Sequence, residues 1–429
     1  MFTRKRLVRA LSQRADEHQH ASFLERAQLE RGENEARGRV ALGAYLAACL
    51  IDRVVRSSGS PDDEDAIQWQ YQTTREYLVD LPADDPEARC VVQLIEAAAA
   101  PGGQRLTRVR DALHRYAVHL EQENRAADAL DMLRLSAASC RDAIPAAEFC
   151  ELALSAGRLN LALARPEQAA DAFLAAEEAA RAASDECALL RARLGAPGIA
   201  RLRGDLVRAR ASVERVIDAA TARPGFCPVV SDAYAELGAV LECAGQPADA
   251  LRALYEAFAR TTGHDERISI LCRLGEGLSQ LGEADAAQAA FDLVETSSPA
   301  HTLHVRALLG SMELASSRRN RIAFERARAA ASERVRHLGA EARITFLHQS
   351  AIGLARFSQF ARAAAAWREA LDLAQAHRLS AWERTIERIM AHLGDCRGGA
   401  RAEPDVAEPG TDLAMLSASL RQLAARAAR

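Results

Sequence analysis

Two stretches of the chain share one spacing: Tyr234-x-x-Leu237-Gly238-x-x-Leu241 and Leu271-x-x-Leu274-Gly275-x-x-Leu278. Each is followed by a glycine in a break, Gly245 and Gly282. A second apolar run comes next, Ala250-x-x-x-Leu254 with Ala257 in one case and Ala287-x-x-x-Phe291 with Pro299 in the other. Two long spacings that coincide twice mark an internal repeat, one helix–turn–helix unit per copy. Glycine inside a helix costs about 0.8–1 kcal/mol against alanine. Gly238 and Gly275 must therefore allow a close helix approach that recovers more than this, with the small residues Ala250 and Ala287 as the expected opposing contacts.

Further copies follow once the spacing is known. Leu113-x-x-Tyr116-Ala117-x-x-Leu120 leads to Asn124 in the break and then to Ala129-x-x-x-Leu133. Another copy has Gly157, then Ala169-x-x-x-Phe173 and Ala176. A third has Gly204, Ala209 and Val213, with Pro197 where a small residue is expected. Leu309-Gly310 precedes Ala323 and Ala327, and Leu347, Ala351 and Leu354 precede Phe360, Ala363, Trp367 and Ala370. Corresponding positions recur roughly every 35–41 residues, against 34 in the tetratricopeptide consensus of an aromatic or Leu, Leu-Gly, and later Ala, Phe and Pro. On these residues the chain resembles the tetratricopeptide repeat (TPR) family over about 106–395.

The resemblance implies an all-α fold, a right-handed superhelical α-solenoid of about seven antiparallel helix pairs whose first helices line a concave groove. Projecting the spacing places Asp111, His114, Glu121, Arg158, Arg191, Arg201, Asp232, Glu242, Glu276, His304 and His348 on the groove side. That groove would run from basic in the middle to acidic beyond, which suits a segment of mixed charge. Some chaperone-docking members of the family clamp a terminal carboxylate with lysines and asparagines. Lys5 is the only lysine here, so that role is not expected.

Composition agrees with a helical array. The 429 residues exceed the roughly 250–300 that one core supports. The apolar 49 % is mostly Ala and Leu, with only 5 % aromatic residues, which favours helix over strand. Residues 1–105 read as an N-terminal helical capping region interrupted by an acidic loop near 57–65. Residues 396–411 read as a flexible linker. Residues 412–429 carry Leu413, Leu416, Leu420 and Leu423 on one stripe of an amphipathic helix, with Asp412 as its N-cap.

No phosphate loop, Gly-x-Gly-x-x-Gly, His-Glu-x-x-His or Gly-x-Ser-x-Gly motif occurs, so no catalysis and no cofactor are expected. Histidine pairs occur at His18/His20, His114/His119 and His301/His304; a site from His301 and His304 would need a third ligand, and no Cys or carboxylate stands at supporting spacing, so surface histidines and no metal site are expected. Nine cysteines are scattered without a Cys-x-x-Cys pair, and most of them, set among Ala and Leu, read as small buried hydrophobes. No apolar run approaches a membrane span, and the basic N-terminus lacks a signal-peptide core, so a cytoplasmic protein is expected. A net charge of −4 gives no general attraction to nucleic acid. One local run does differ: Arg318, Arg319, Arg321, Arg326, Arg328, Arg334, Arg336 and Arg343 stand against only Glu325, Glu333 and Glu341. A phosphate- or RNA-binding patch and a solvated helix face both have this composition, and stacking aromatics are not interleaved. The sequence thus points to a protein- or peptide-binding scaffold, adaptor or regulatory subunit. The alternative is a signal-sensing receptor that binds a peptide or small ligand and controls a separate output protein.

Overall fold

The structure is a computed structural model that describes residues 2–11, 20–33, 35–57, 60–100, 102–139, 145–223, 225, 227–297, 301–335, 338–377, 379–393 and 418. All regular structure among them is helical. Five N-terminal helices come first: α1 (Phe2–Ala10), α2 (Ala21–Glu33), α3 (Glu35–Arg56), α4 (Pro61–Leu78) and α5 (Pro86–Ala98). Helix pairs follow in chain order: α6 (Gly102–Gln122) with α7 (Ala126–Ser139), and α8 (Ala146–Ala162) with α9 (Pro166–Ala183). Next come the split α10 (Glu186–Arg193) and α11 (Gly195–Leu202) before α12 (Leu206–Thr221), then α13 (Cys227–Cys243) with α14 (Pro247–Arg260). The last are α15 (His264–Gln280) with α16 (Ala284–Ser297), α17 (His301–Ser317) with α18 (Arg321–Val335), and α19 (Ala340–Arg356) with α20 (Phe360–Ala376), before α21 (Ser380–Leu393). The chain forms two compact units, Met1–Ser212 and Val213–Arg429, and the division falls inside α12.

One turn joins the two helices of every pair. Asn124, Ala164, Gly204, Gly245, Gly282, Arg319 and Ser358 all have φ between 53° and 81°. In each case the next residue's N–H reaches back five residues, from Arg125 to Leu120 O at 2.8 Å through to Gln359 to Leu354 O at 2.9 Å. This is the 6→1 bond of a Schellman cap. The turn therefore recurs with three glycines and four other residues in its left-handed position. At Gly245 nothing lies within 4 Å of where a side chain would begin, so glycine serves the backbone there and not the packing.

Glycines inside the helices do a different job. A Cβ on Gly275 would lie 2.7 Å from Cε1 of Phe291, and Gly310 faces the same ring from α17. The Phe291 side chain is fully buried between them. In the first unit Phe173 is held the same way, with a Cβ on Gly157 falling 2.6 Å from its Cζ and Gly195 on the other side. The expected contact with a small residue of the second helix holds in part. A Cβ on Gly238 would meet Leu254 at 3.0 Å and the Ala250 carbonyl only at 3.4 Å. The main use of these glycines is to admit a large side chain from the second helix.

Two sequence readings need correction. The acidic run near 57–65 is mostly helix, because Pro61 opens α4 and the Ser60 hydroxyl accepts the N–H of Asp63 at 3.3 Å. Asp62, Asp63 and Glu64 then fill the first turn, where carboxylates favour the helix. Among the described cysteines only Cys150 and Cys272 are buried, while Cys49, Cys90 and Cys187 are half-buried and Cys243 is exposed. The linker 396–411 lies outside the described residues, as do Pro299 and 412–429 apart from Ala418.

The N-terminal helices are pinned to the first pair by a buried charge cluster. Glu87 of α5 accepts from Arg26 of α2 at 2.8 and 2.6 Å, from the Tyr116 hydroxyl of α6 at 2.7 Å, and from Arg125 at 2.6 Å. Arg125 also binds Asp128, and Glu30 receives Arg26 and Arg37. Burial acts to raise the pKa of Glu87, but Arg125 and Arg26 outweigh it and hold the carboxyl well below the usual range. Nearby, His20 Nδ1 and Asp131 Oδ2 of α7 lie 2.6 Å apart. Helix α1 folds back on α9 and α8, where the buried Asn160 amide donates to Ala10 O at 3.0 Å.

Candidate partner-binding face on the first helices

The residues expected on the groove side fall on the first helices of successive pairs, and the structure shows what they touch. In the first unit Asp111 and His114 are exposed on α6, one turn before the exposed Val118. Glu121, at the end of the same helix, meets Arg158 of α8 at 3.3 and 3.5 Å. A second bridge runs the other way between these helices, from Arg110 to Glu148 at 3.0 Å. Arg191 on α10 and Arg201 on α11 are half-buried and engaged.

The second unit repeats the device. Glu242 at the end of α13 receives Arg273 of α15 at 3.1 Å, and Arg273 also donates to Ala235 O at 3.3 Å. Glu276 of α15 receives a two-point contact from Arg306 of α17, both bonds 2.7 Å. In each of these rungs the carboxylate belongs to one pair and the guanidinium to the next. Burial works against the charge of Arg306, yet Glu276 holds its pKa above the ordinary value. Glu276 has a further consequence: burial, with this carboxylate beside it, pushes the Cys272 thiol up to about 12, so it stays protonated. Asp232 on α13 is exposed and His304 on α17 half-buried, each with a partner of its own.

Four of the eleven expected residues, Glu121, Arg158, Glu242 and Glu276, thus stand in bridges between neighbouring repeats and are not solitary solvent-facing charges. Their partners Arg273 and Arg306 were not identified from the sequence. No shared register marks them, since Arg273 lies two residues before Gly275 and Arg306 four before Gly310. His348 is the clear correction. Its Nδ1 accepts the indole N–H of Trp367 at 3.2 Å, and its ring meets Trp382 edge-on at 5.5 Å between centroids. It packs three helices together, and burial pushes its pKa down.

The rungs are partly exposed, Arg273 least, at 22 % of its side-chain surface. Arg158 and Glu121 keep 53 % and 35 % of their side-chain surface, and Arg306 and Glu276 keep 44 % and 35 %. Exposed pairs contribute only about 0.2–1 kcal/mol, so an incoming charged group can replace one partner at small cost. The arrangement can therefore exchange its internal bridges for bridges to a ligand. Among the described residues no three His, Cys, Asp or Glu side chains stand close enough together to hold a metal ion, and no described helix is long and apolar enough to cross a membrane.

The arginine run splits up in three dimensions. Arg318 reaches Asp285 at 2.7 Å, Arg328 binds Glu325 at 2.8 Å, and Arg319 caps the Arg356 carbonyl. It is not one continuous basic helix face.

No protein-family model matches the chain, and no curated protein sequence does. Solved structures do resemble it. A Rap protein complexed with Competence and Sporulation Factor aligns at a TM-score of 0.47 and 12 % identity, covering 80 % of this chain and 99 % of that one. The apo form of RapI aligns at 0.43 and 10 %, covering 63 % and 98 %. Aspartyl phosphate phosphatase F from Bacillus subtilis aligns at 0.42 and 11 %, covering 78 % and 94 %.

Proposed function

We propose that the chain is a TPR-like repeat protein that binds a protein or peptide segment on the first-helix face, as a non-catalytic adaptor or regulatory subunit. The observation that carries this reading is the set of partly exposed Arg–Glu rungs between consecutive first helices. Within each unit such a face offers both signs of charge on neighbouring first helices, and its internal pairs are weak enough in water to be traded. Arginine forks favour carboxylates of a partner, and Glu121, Glu242 and Glu276 favour its basic groups.

A charge swap tests the reading. In Glu276→Arg combined with Arg306→Glu the rung survives with its sign reversed, so the fold keeps its bridge while the surface changes. Affinity purification from the native cells should recover a stoichiometric protein or peptide with the wild type, and the swap should lose it. A partner retained by the swapped protein at undiminished yield would rule out this face.

A further inference from the structure

The turn edge of the second unit carries a feature that the first-helix face does not use. The α17–α18 and α19–α20 turns are neighbours, joined where Arg319 donates to the Arg356 carbonyl and where Arg356 donates to Ser316 Oγ at 2.7 Å. Arg362 crosses between the second helices to Glu325 at 3.3 Å. Residues 316–325 and 356–362 together contain five arginines and one carboxylate, Glu325. Arg318 finds its counter-charge outside the turns, on Asp285. Arg319 and Arg356 bind neutral oxygens, and Arg321 is exposed, so positive charge remains on this edge.

Two large apolar side chains flank that charge. Ile322 is 79 % exposed at the start of α18, and Phe360 is 45 % exposed at the start of α20. One exposed apolar residue carries no meaning by itself. Here both stand on adjacent turns that also expose Arg318, Arg319 and Arg321, beside the neutral Ser317, Asn320 and Ser358. Phe357 of the α19–α20 turn packs on Phe324 of α18 at 5.4 Å between ring centroids, which ties the two turns together.

We propose that this edge is a second docking surface, separate from the first-helix face, for an acidic amphipathic protein segment. Its apolar side chains would cover Ile322 and Phe360, and its carboxylates would face Arg319, Arg321 and Arg356. Charge complementarity selects this occupant, since arginine forks pair with carboxylates in two-point geometry. A nucleic acid would want more cationic contacts and a row of stacking aromatics, whereas this edge offers one exposed ring and an aliphatic side chain.

The test uses the full chain and a fluorescein-labelled helical peptide with Leu and Phe along one stripe and Glu beside it. Controls are the same peptide with Gln for Glu, and a single-stranded RNA oligonucleotide. Arg321→Glu with Ile322→Ser changes only exposed positions, and a thermal melt checks that the fold is kept. The Glu peptide should bind more weakly as salt rises. Both the double variant and the Gln peptide should lose about tenfold in affinity. The charge swap at Glu276 and Arg306 should leave this binding unchanged, which separates it from the first-helix reading. Three results would overturn the proposal: no measurable binding of the Glu peptide, affinity untouched by the double variant, or RNA binding more tightly than the peptide in an Arg321-dependent way.

Discussion

Phe291 shows how one side chain serves two repeats. Its ring lies between Gly275 of its own pair and Gly310 of the next, so it cannot retreat from an added methyl on either side. Gly275→Ala should therefore destabilise by about 1–2 kcal/mol even though alanine is the better helix former. Gly245→Ala should also cost about 1 kcal/mol, but through its φ of 71° and not through contact. Gly275→Ala should in addition alter near-ultraviolet dichroism around the buried ring, which Gly245→Ala should leave alone. Conversely Ala164→Gly relieves a left-handed alanine and should raise stability by up to about 1 kcal/mol in urea unfolding. His348 sets a pH dependence of definite sign. Its pKa in the fold lies below the ordinary 6.5, so on acidification the unfolded chain takes up a proton first. The melting temperature should fall as pH drops from about 7 through the histidine range, and His348→Asn should lessen the fall. Burial also lowers His119, which should account for part of what remains.

Among the elements, the helix pairs could be read from the sequence wherever a turn or a packing glycine coincided with a residue of special backbone freedom. Asn124, Gly245 and Gly282 gave such signals. Ala164, Arg319 and Ser358 did not, because their left-handed geometry is imposed by the hydrogen bond of the following N–H. The split of the third first helix into α10 and α11 was hidden for a related reason. Pro197 marks the break, having no N–H to give the Arg193 carbonyl four residues before, but nothing in the spacing shows that Gly195 beside it meets Phe173. Glu87 could not be assigned at all, since its partners Arg26, Tyr116 and Arg125 converge only when four elements are assembled. Glu87→Gln removes the carboxylate that Arg26 and Arg125 share, leaving them only Glu30 and Asp128, and should cost roughly 2–3 kcal/mol. Limited proteolysis should then release the N-terminal helices, while α13 to α20 keep their protection.

Across the whole molecule, the first helices that carry the expected residues were legible because the repeat spacing recurs along the chain. The rungs were not, because a bridge joins residues 30–38 positions apart and spacing within one copy cannot show it. Reversing only Glu276 to Arg sets two guanidinium groups together and should cost about 1 kcal/mol. The paired swap with Arg306→Glu should restore most of it, and a double-mutant cycle in urea measures the difference. Salt should weaken the single reversal's penalty, as these groups face water.

The left-handed step of the turn between paired helices is held by a main-chain hydrogen bond. Some turn side chains still hold structure, as Arg125 does on Glu87 and Asn320 in accepting the Ala323 N–H, whereas replacing the exposed others changes what the rim displays without changing where a helix stops. Arg319 illustrates this freedom: it accepts a strained backbone that glycine would occupy at ease, and in return puts a cation on the rim. The rim is thus a position at which one repeat scaffold can acquire new partners by single substitutions, with its stacking left intact.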